Sequence, residues 1–189
     1  AAALLRDGIL IAAADEERFS RRQHDSRFPH HAIDFCLRHA GITGEQIEYV
    51  IFHEKPILKF ERVLMSALST FTSSWNVFCE SMPGWFREKL WVKGLLAQKL
   101  GVPAARVLFS EHHLSHAASA FFCSPFEESA IITVDGVGEW TTATVGVGQA
   151  SWHDGSRNAI TLLKELRFPH SLGLLYSAFT EFLGFQVNE

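Results

Sequence analysis

A mixed α/β sheet flanked by helices is the fold class this sequence predicts, and three observations predict it. Short apolar runs rich in β-formers alternate with segments whose apolar residues recur at helix-face spacing. Tight turns, Arg6-Asp7-Gly8 and the glycine-rich stretch after Asp135, join neighbouring runs into hairpins. Hydrophobic residues make up 47% and charged residues 20% of 189, which suits one soluble globular domain and supplies a core.

Taken in order, Ala1 to Leu5 and Ile9 to Ala14 read as two strands around the Asp-Gly turn, because glycine accepts the positive φ the turn needs. Asp15 to Arg27 is too polar to be buried whole. Pro29 suits a first helical turn, and Ala32, Ile33, Phe35, Cys36, Leu37 and Ala40 follow on one face with Gly41 as the stop. Thr43 to Gln46 resembles a short capped helix, and Tyr49 to Phe52 a strand. Residues 57 to 71 form an amphipathic helix, and a second runs from about Trp85 to Leu100, closed by Gly101 and Pro103. Arg106 to Phe109 is a strand and His113 to Phe122 a buried helix. Ala130 to Val134 is continuously apolar, as in a strand covered on both faces. Thr141 to Val147 pairs with it, Ile160 to Leu166 adds a strand, and Leu172 to Leu183 adds a helix. No repeat, low-complexity segment or linker divides the chain.

Composition excludes several classes. A net charge of -4 argues against nucleic-acid partners, which need a basic surface. No run approaches the roughly 20 apolar residues of a membrane helix, and Arg6 and Asp7 interrupt the apolar start where a signal peptide would be continuous. Cys36, Cys79 and Cys123 are odd in number and far apart, which predicts buried thiols in a reducing cytoplasm, not disulfides or a thiolate zinc site. Ala1 begins inside an apolar run and Glu189 follows directly on an amphipathic segment, so the chain reads as a fragment of a larger domain.

Chemistry concentrates in residues 110 to 148. His112 and His116, four apart, share one helix face and can grip one metal ion, whereas His113 points elsewhere. By itself this spacing does not separate a metal pair from two structural histidines, and the sequence is not HExxH. Asp135 ends the apolar strand, where α/β folds place their ligands. Two imidazoles and a carboxylate suit iron, manganese or zinc better than calcium or magnesium. In the Gly136-Val137-Gly138-Glu139-Trp140-Thr141-Thr142 loop, the glycines let backbone amides approach a phosphate, and Thr141 and Thr142 offer hydroxyls. The other reading of the loop is a plain hairpin.

These residues resemble the NodU and TobZ-type O-carbamoyltransferases of nodulation and antibiotic tailoring. The similarity lies in four motifs in family order: the opening AAALLRDGILIAAADEERFSRRQHDSRFP, then HHLSHAASAFF, VDGVGEWTT and FPHSLGLLYSAFTEFLGF. The resemblance implies that residues 1–189 are the N-terminal part of a Kae1-like domain of the actin-like ATPase and ribonuclease-H-like superfamily. It implies a divalent metal, Fe(II) with zinc or manganese as alternatives, on His112, His116 and Asp135. ATP, as carbamoyl-adenylate, would lie against Gly136, Val137, Gly138, Glu139 and Thr141. In such enzymes a YrdC-like domain makes the adenylate from carbamoyl phosphate and ATP. The Kae1-like domain then passes the carbamoyl group to a hydroxyl of a small-molecule or oligosaccharide acceptor.

The resemblance also places the family's first strand and a His-Asp-Ser run before Ala1. It places a further aspartate ligand and the YrdC-like domain after Glu189, so the fragment is expected to be catalytically incomplete. Gln23 stands where the family has lysine, before His24 and Asp25. Of the basic residues between Arg18 and Arg27, Arg18 and His24 are assigned to phosphate or acceptor chemistry, against a solvated loop paired with Asp15, Glu16 and Glu17. Three other functions compete, the last of them a sugar-kinase fragment, which gives no reason for the paired histidines. A tRNA threonylcarbamoyltransferase of the Kae1/TsaD type would have Glu-Gly where Leu114-Ser115 stand, and a non-catalytic, metal-stabilised interaction module would bind metal without responding to nucleotide. A homodimer is compatible with the sequence.

Overall fold

Asp7 and Gly8, at φ 52° and 79°, make the turn that Asp-Gly announces and fold β1 (Ala2–Arg6) back on β2 (Ile9–Ala14). The chain is described by a computed structural model over residues 1–23, 25, 27–87, 89–152, 155 and 157–187. After the hairpin come α1 (Glu17–Ser20), α2 (His30–Ala40) and β3 (Val50–Phe52). Three helices follow: α3 (Pro56–Ser69), α4 (Trp75–Arg87) and α5 (Val92–Leu100). β4 (Val107–Phe109), α6 (His112–Phe121), β5 (Glu128–Val134), β6 (Thr141–Gln149), β7 (Ala159–Arg167) and α7 (Leu172–Phe182) complete the chain. The result is mixed α/β, with strands in three small sheets, β1–β2, β3–β4 and β5–β6–β7. The chain forms two compact units, Ala1–Val50 with Lys93–Val107 and Ile51–Val92 with Leu108–Glu189.

In the first unit α2 lies on the β1–β2 hairpin, and Ala12, Ala32, Ile33 and Cys36 are buried there. The α2 N-terminus has Pro29 at its cap position, with no side-chain cap of its own. Glu16 does that work from a distance. Its buried carboxylate accepts from His31 N at 3.2 Å and Ala32 N at 2.9 Å, and meets His31 Nδ1 at 2.6 Å. Burial pushes the Glu16 carboxyl up, but the Ala32 amide and His31 more than offset it, so it ionises below its ordinary value. Among the described residues the ion-pair partner of Glu16 is His31, not an arginine of the basic stretch. Thr43 and Gln46 form the expected short capped turn, with Gln46 Oε1 accepting from Thr43 N at 2.8 Å.

In the second unit the core sits between α6 and the three-stranded antiparallel sheet, where Ala117, Phe121, Ile131 and Ala150 are buried and Ile160 and Leu162 pack around them. β5 is covered on that face only. Ile131 and Thr133 point inward, while Ile132 is 72% and Val134 53% exposed. The expectation of a strand covered on both faces is thus corrected: an apolar run does not say how many faces have a neighbour.

Two further corrections concern the helices and thiols. The helix expected over Trp85 to Leu100 is α4, which starts ten residues earlier, a short 3-10 turn over Lys89–Trp91, and α5. α4 runs through Pro83, whose missing N–H forfeits a single ladder bond. Only Cys36 is buried; Cys79 and Cys123 are exposed. Among the described residues no helix is long and apolar enough to cross a membrane.

Candidate metal centre

Helix α6 starts at His112, so its first amides need acceptors, and the residue before it, Glu111, supplies no side-chain cap. The acceptor comes from the loop after β5. Glu139, buried, takes the His112 N–H at 3.1 and 3.2 Å and the Lys55 N–H, at the start of α3, at 2.8 Å. One carboxylate thereby fixes the start of two helices against the loop that carries Asp135.

Three donor atoms converge there. His112 Nε2 lies 2.6 Å from Asp135 Oδ2 and 3.0 Å from His116 Nε2, and His116 Nε2 lies 3.7 Å from Asp135 Oδ2. Ligand atoms held about 2.1 Å from one ion stand about 3.0–3.4 Å apart, so the triad is already near the spacing a metal needs. His112 is largely buried and His116 half exposed, leaving an open side toward solvent. Burial pushes the Asp135 carboxyl up, but the His112 contact and the Gly136 amide outweigh it and hold it ionised below its usual range. Two imidazoles and an anionic oxygen fit iron, manganese or zinc.

His113, next in sequence, faces away into the core. Its Nε2–H donates to Thr141 O at 2.9 Å, because a carbonyl can only accept. Nδ1 must then accept, and it receives the Thr133 hydroxyl at 2.7 Å, which in turn accepts from Thr144 at 2.6 Å. This chain of bonds settles one neutral tautomer.

The loop differs from a ready phosphate cradle in its present hydrogen bonding. Gly136 N–H donates to Asp135 Oδ1 at 2.6 Å, and Gly138 N–H donates to Thr141 O at 2.9 Å. Thr141 Oγ1 donates to Glu165 at 2.6 Å, and the Glu139 carboxylate is committed to two amides as described. Gly138 has a packing reason to be glycine: a Cβ there would meet Thr141 O at 3.1 Å and the His112 side chain at 3.2 Å. Arg18 is exposed on α1, in the other unit. His24 lies outside the described residues. Within the basic stretch, Arg27 grips Asp25 through a fork, Nε at 2.8 Å and Nη2 at 2.6 Å, and holds its carboxyl well below the carboxylate range.

Sequence reasoning missed Ser171 and Gly173 as site-positioning residues. Ser171 caps α7 by accepting from Leu174 N at 3.0 Å, and its hydroxyl reaches Gly136 O at 2.7 Å and Asp135 O at 3.2 Å. Gly173 lies so close that a Cβ would stand 2.6 Å from Gly136 N and closer still to the Asp135 carbonyl. The serine before an apolar helical run was a readable cap signal; the close approach was not readable. Gly173→Ala must therefore move the backbone that carries Asp135. It should cost about 2 kcal/mol in denaturant unfolding and weaken metal binding. Gly136→Ala, whose Cβ would meet Leu174 Cδ2 at an ordinary 3.8 Å, should cost much less.

Comparison with known proteins agrees with this architecture of motifs. The family described as the carbamoyltransferase N-terminus matches residues 1–189. An uncharacterized protein of Synechocystis sp. is 46% identical over 195 residues, covering 100% of this chain and 31% of that protein. The nodulation protein NolNO of Sinorhizobium fredii is 36% identical over 190 residues, covering 98% of this chain and 25% of its own length. An uncharacterized protein of Methanocaldococcus jannaschii is 25% identical over 184 residues, 97% of this chain and 28% of its own. The chain thus spans 31% or less of these relatives. It belongs to the carbamoyltransferase N-terminus family.

Proposed function

We propose that this chain is the metal-bearing part of an ATP-dependent O-carbamoyltransferase, with an actin-like, Kae1-type fold completed by segments outside residues 1–189. The observation that carries the reading is the convergence of His112 Nε2, His116 Nε2 and Asp135 Oδ2 at one end of an antiparallel sheet. A bound divalent ion, Fe(II) or else zinc or manganese, would supply Lewis acidity toward a phosphoryl or carbonyl oxygen. The protein's own part is positional. Glu139 holds the start of α6, Gly138 admits His112 to the loop, and Ser171 and Gly173 brace the Asp135 peptide from behind.

Carbamoyl-adenylate would lie against the Gly136-Val137-Gly138 turn. The Val137 amide is engaged by no other described residue, and the Gly136 amide becomes available if Asp135 turns its carboxylate away. On a YrdC-like domain, water would hydrolyse the donor, carbamoyl phosphate, to carbamate and phosphate, and a carbamate oxygen would then attack the α-phosphorus of ATP, releasing pyrophosphate and leaving carbamoyl-adenylate. An acceptor hydroxyl then attacks the carbamoyl carbon, its proton leaves, and AMP departs. Arg18 and His24 are assigned to the acceptor or phosphate side of this transfer. The resemblance to the O-carbamoyltransferases implies a sugar-containing acceptor, and the similar NolNO is a nodulation protein.

The complete protein, supplied with ATP and carbamoyl phosphate, should release pyrophosphate, and a hydroxylated saccharide acceptor should raise AMP release. Asp135→Asn should remove the acceptor-dependent AMP. Pyrophosphate release that needs no carbamoyl phosphate, or AMP release unaffected by Asp135→Asn, would contradict the reading.

A further inference from the structure

Glu54 belongs neither to the ligand-bearing helix nor to the loop after β5. It lies between β3 and α3, with a side chain only 13% exposed. Its Oε2 holds Lys59 Nζ at 2.7 Å and stands 3.8 Å from His112 Nδ1. That nitrogen is buried and has no hydrogen-bond partner among the described residues. Buried ring nitrogens are normally satisfied, so an orphan at the heart of a site calls for an explanation.

The two nitrogens of His112 face two carboxylates, Asp135 on the Nε2 side and Glu54 on the Nδ1 side. A neutral imidazole carries one proton and can serve one of them; the other lone pair then faces an anionic oxygen. A cation on Nε2 together with a proton on Nδ1 satisfies both sides. We propose that Glu54 is the carboxylate that positions His112, accepting the Nδ1 proton and so leaving Nε2 as a metal donor. Histidine ligands are generally held this way, through the nitrogen that does not touch the metal. The present 3.8 Å is longer than a hydrogen bond, and closure by about 1 Å is within reach of a side-chain rotation. Lys59 Nζ, 2.7 Å from the same oxygen, anchors Glu54 beside the ring.

His53, Glu54 and His112 could instead hold a second ion of their own. The Lys59 ammonium already occupies the same Glu54 oxygen, and His112 would have to give up both ring protons, so the single-ion arrangement is favoured. The proposal rests on the metal-centre reading and adds to it a specific role for Glu54.

Co(II) titration of the complete, metal-stripped protein, followed by its visible absorption and by chelator competition, tests the proposal. Glu54→Ala should weaken Co(II) binding about 10–100-fold and change the Co(II) spectrum, while the metal-free unfolding midpoint stays near that of the wild type. Glu54→Gln, whose amide oxygen still accepts from Nδ1–H, should recover most of the affinity. If Glu54→Ala does not fold, Glu54→Asp, one methylene short, should show the same loss. Wild-type affinity and spectrum in the alanine or aspartate variant would overturn the proposal. So would two ions per wild-type chain, one of them lost with Glu54. A wild-type protein that binds no Co(II) would instead overturn the metal centre itself.

Discussion

His113→Ala is expected to cost the fold about 3 kcal/mol while leaving the metal affinity within a few-fold of wild type. The ring is buried and joins α6 to two strands, through Thr133 on β5 and the Thr141 carbonyl on β6. Removing it leaves the Thr133 hydroxyl proton without its acceptor, at about 1–3 kcal/mol, takes one of two donors from the Thr141 carbonyl, which keeps the Gly138 amide, and opens a cavity in the core. The same histidine gives a pH signature. Burial lowers its pKa below the ordinary 6.5, so the unfolded chain binds more protons near neutrality than the folded one. Its contribution is complete above about pH 6.5 and is lost progressively as pH falls toward the depressed folded value. Unfolding followed from pH 8 to 5 should show that loss in the wild type and a flatter profile in His113→Phe. An unchanged slope in the variant would remove His113 as the source.

His112→Ala and Asp135→Ala should each weaken binding of a transition-metal ion by about 100-fold or more, since each deletes one of the three donors that converge among the described residues. His116→Ala should do the same with little loss of stability, because that ring is half exposed and, among the described residues, its hydrogen-bond and ion-pair partners are His112 and Asp135. Asp135→Ala differs in kind: it also releases the Gly136 amide. Isothermal titration with Zn(II) or Mn(II) on metal-free protein separates these cases from His113→Ala. Equal losses in all four variants, or in none, would sink the ligand assignment.

That His112, His116 and Asp135 come together was legible from local rules, whereas choosing them as metal ligands over structural side chains rested on the resemblance. Histidines four apart share a helix face, and an aspartate closing an apolar strand sits at its carboxyl end. The Asp7-Gly8 hairpin and the Thr43–Gln46 cap were legible for the same reason. What escaped depends on partners distant in the chain. Glu139 reaches back 84 residues to Lys55 and 27 to His112, and the Ser171 hydroxyl reaches 35 residues to Gly136. No periodicity announces such contacts. Glu139 looked like a nucleotide-loop residue, and in the structure its carboxylate caps α6. β5 looked covered on both faces because alternation is invisible in an all-apolar run, and the α4–α5 break was hidden by helix-forming residues on either side of it.

Elemental analysis of the purified complete protein tests the metal centre on His112, His116 and Asp135. The protein is expressed with Fe(II) supplied, purified anaerobically, and compared with its His112→Ala/His116→Ala variant. The wild type should hold close to one transition-metal ion per chain and the variant almost none. Metal retained at the same stoichiometry without both imidazoles would contradict the assignment, as would a folded wild-type protein that holds none.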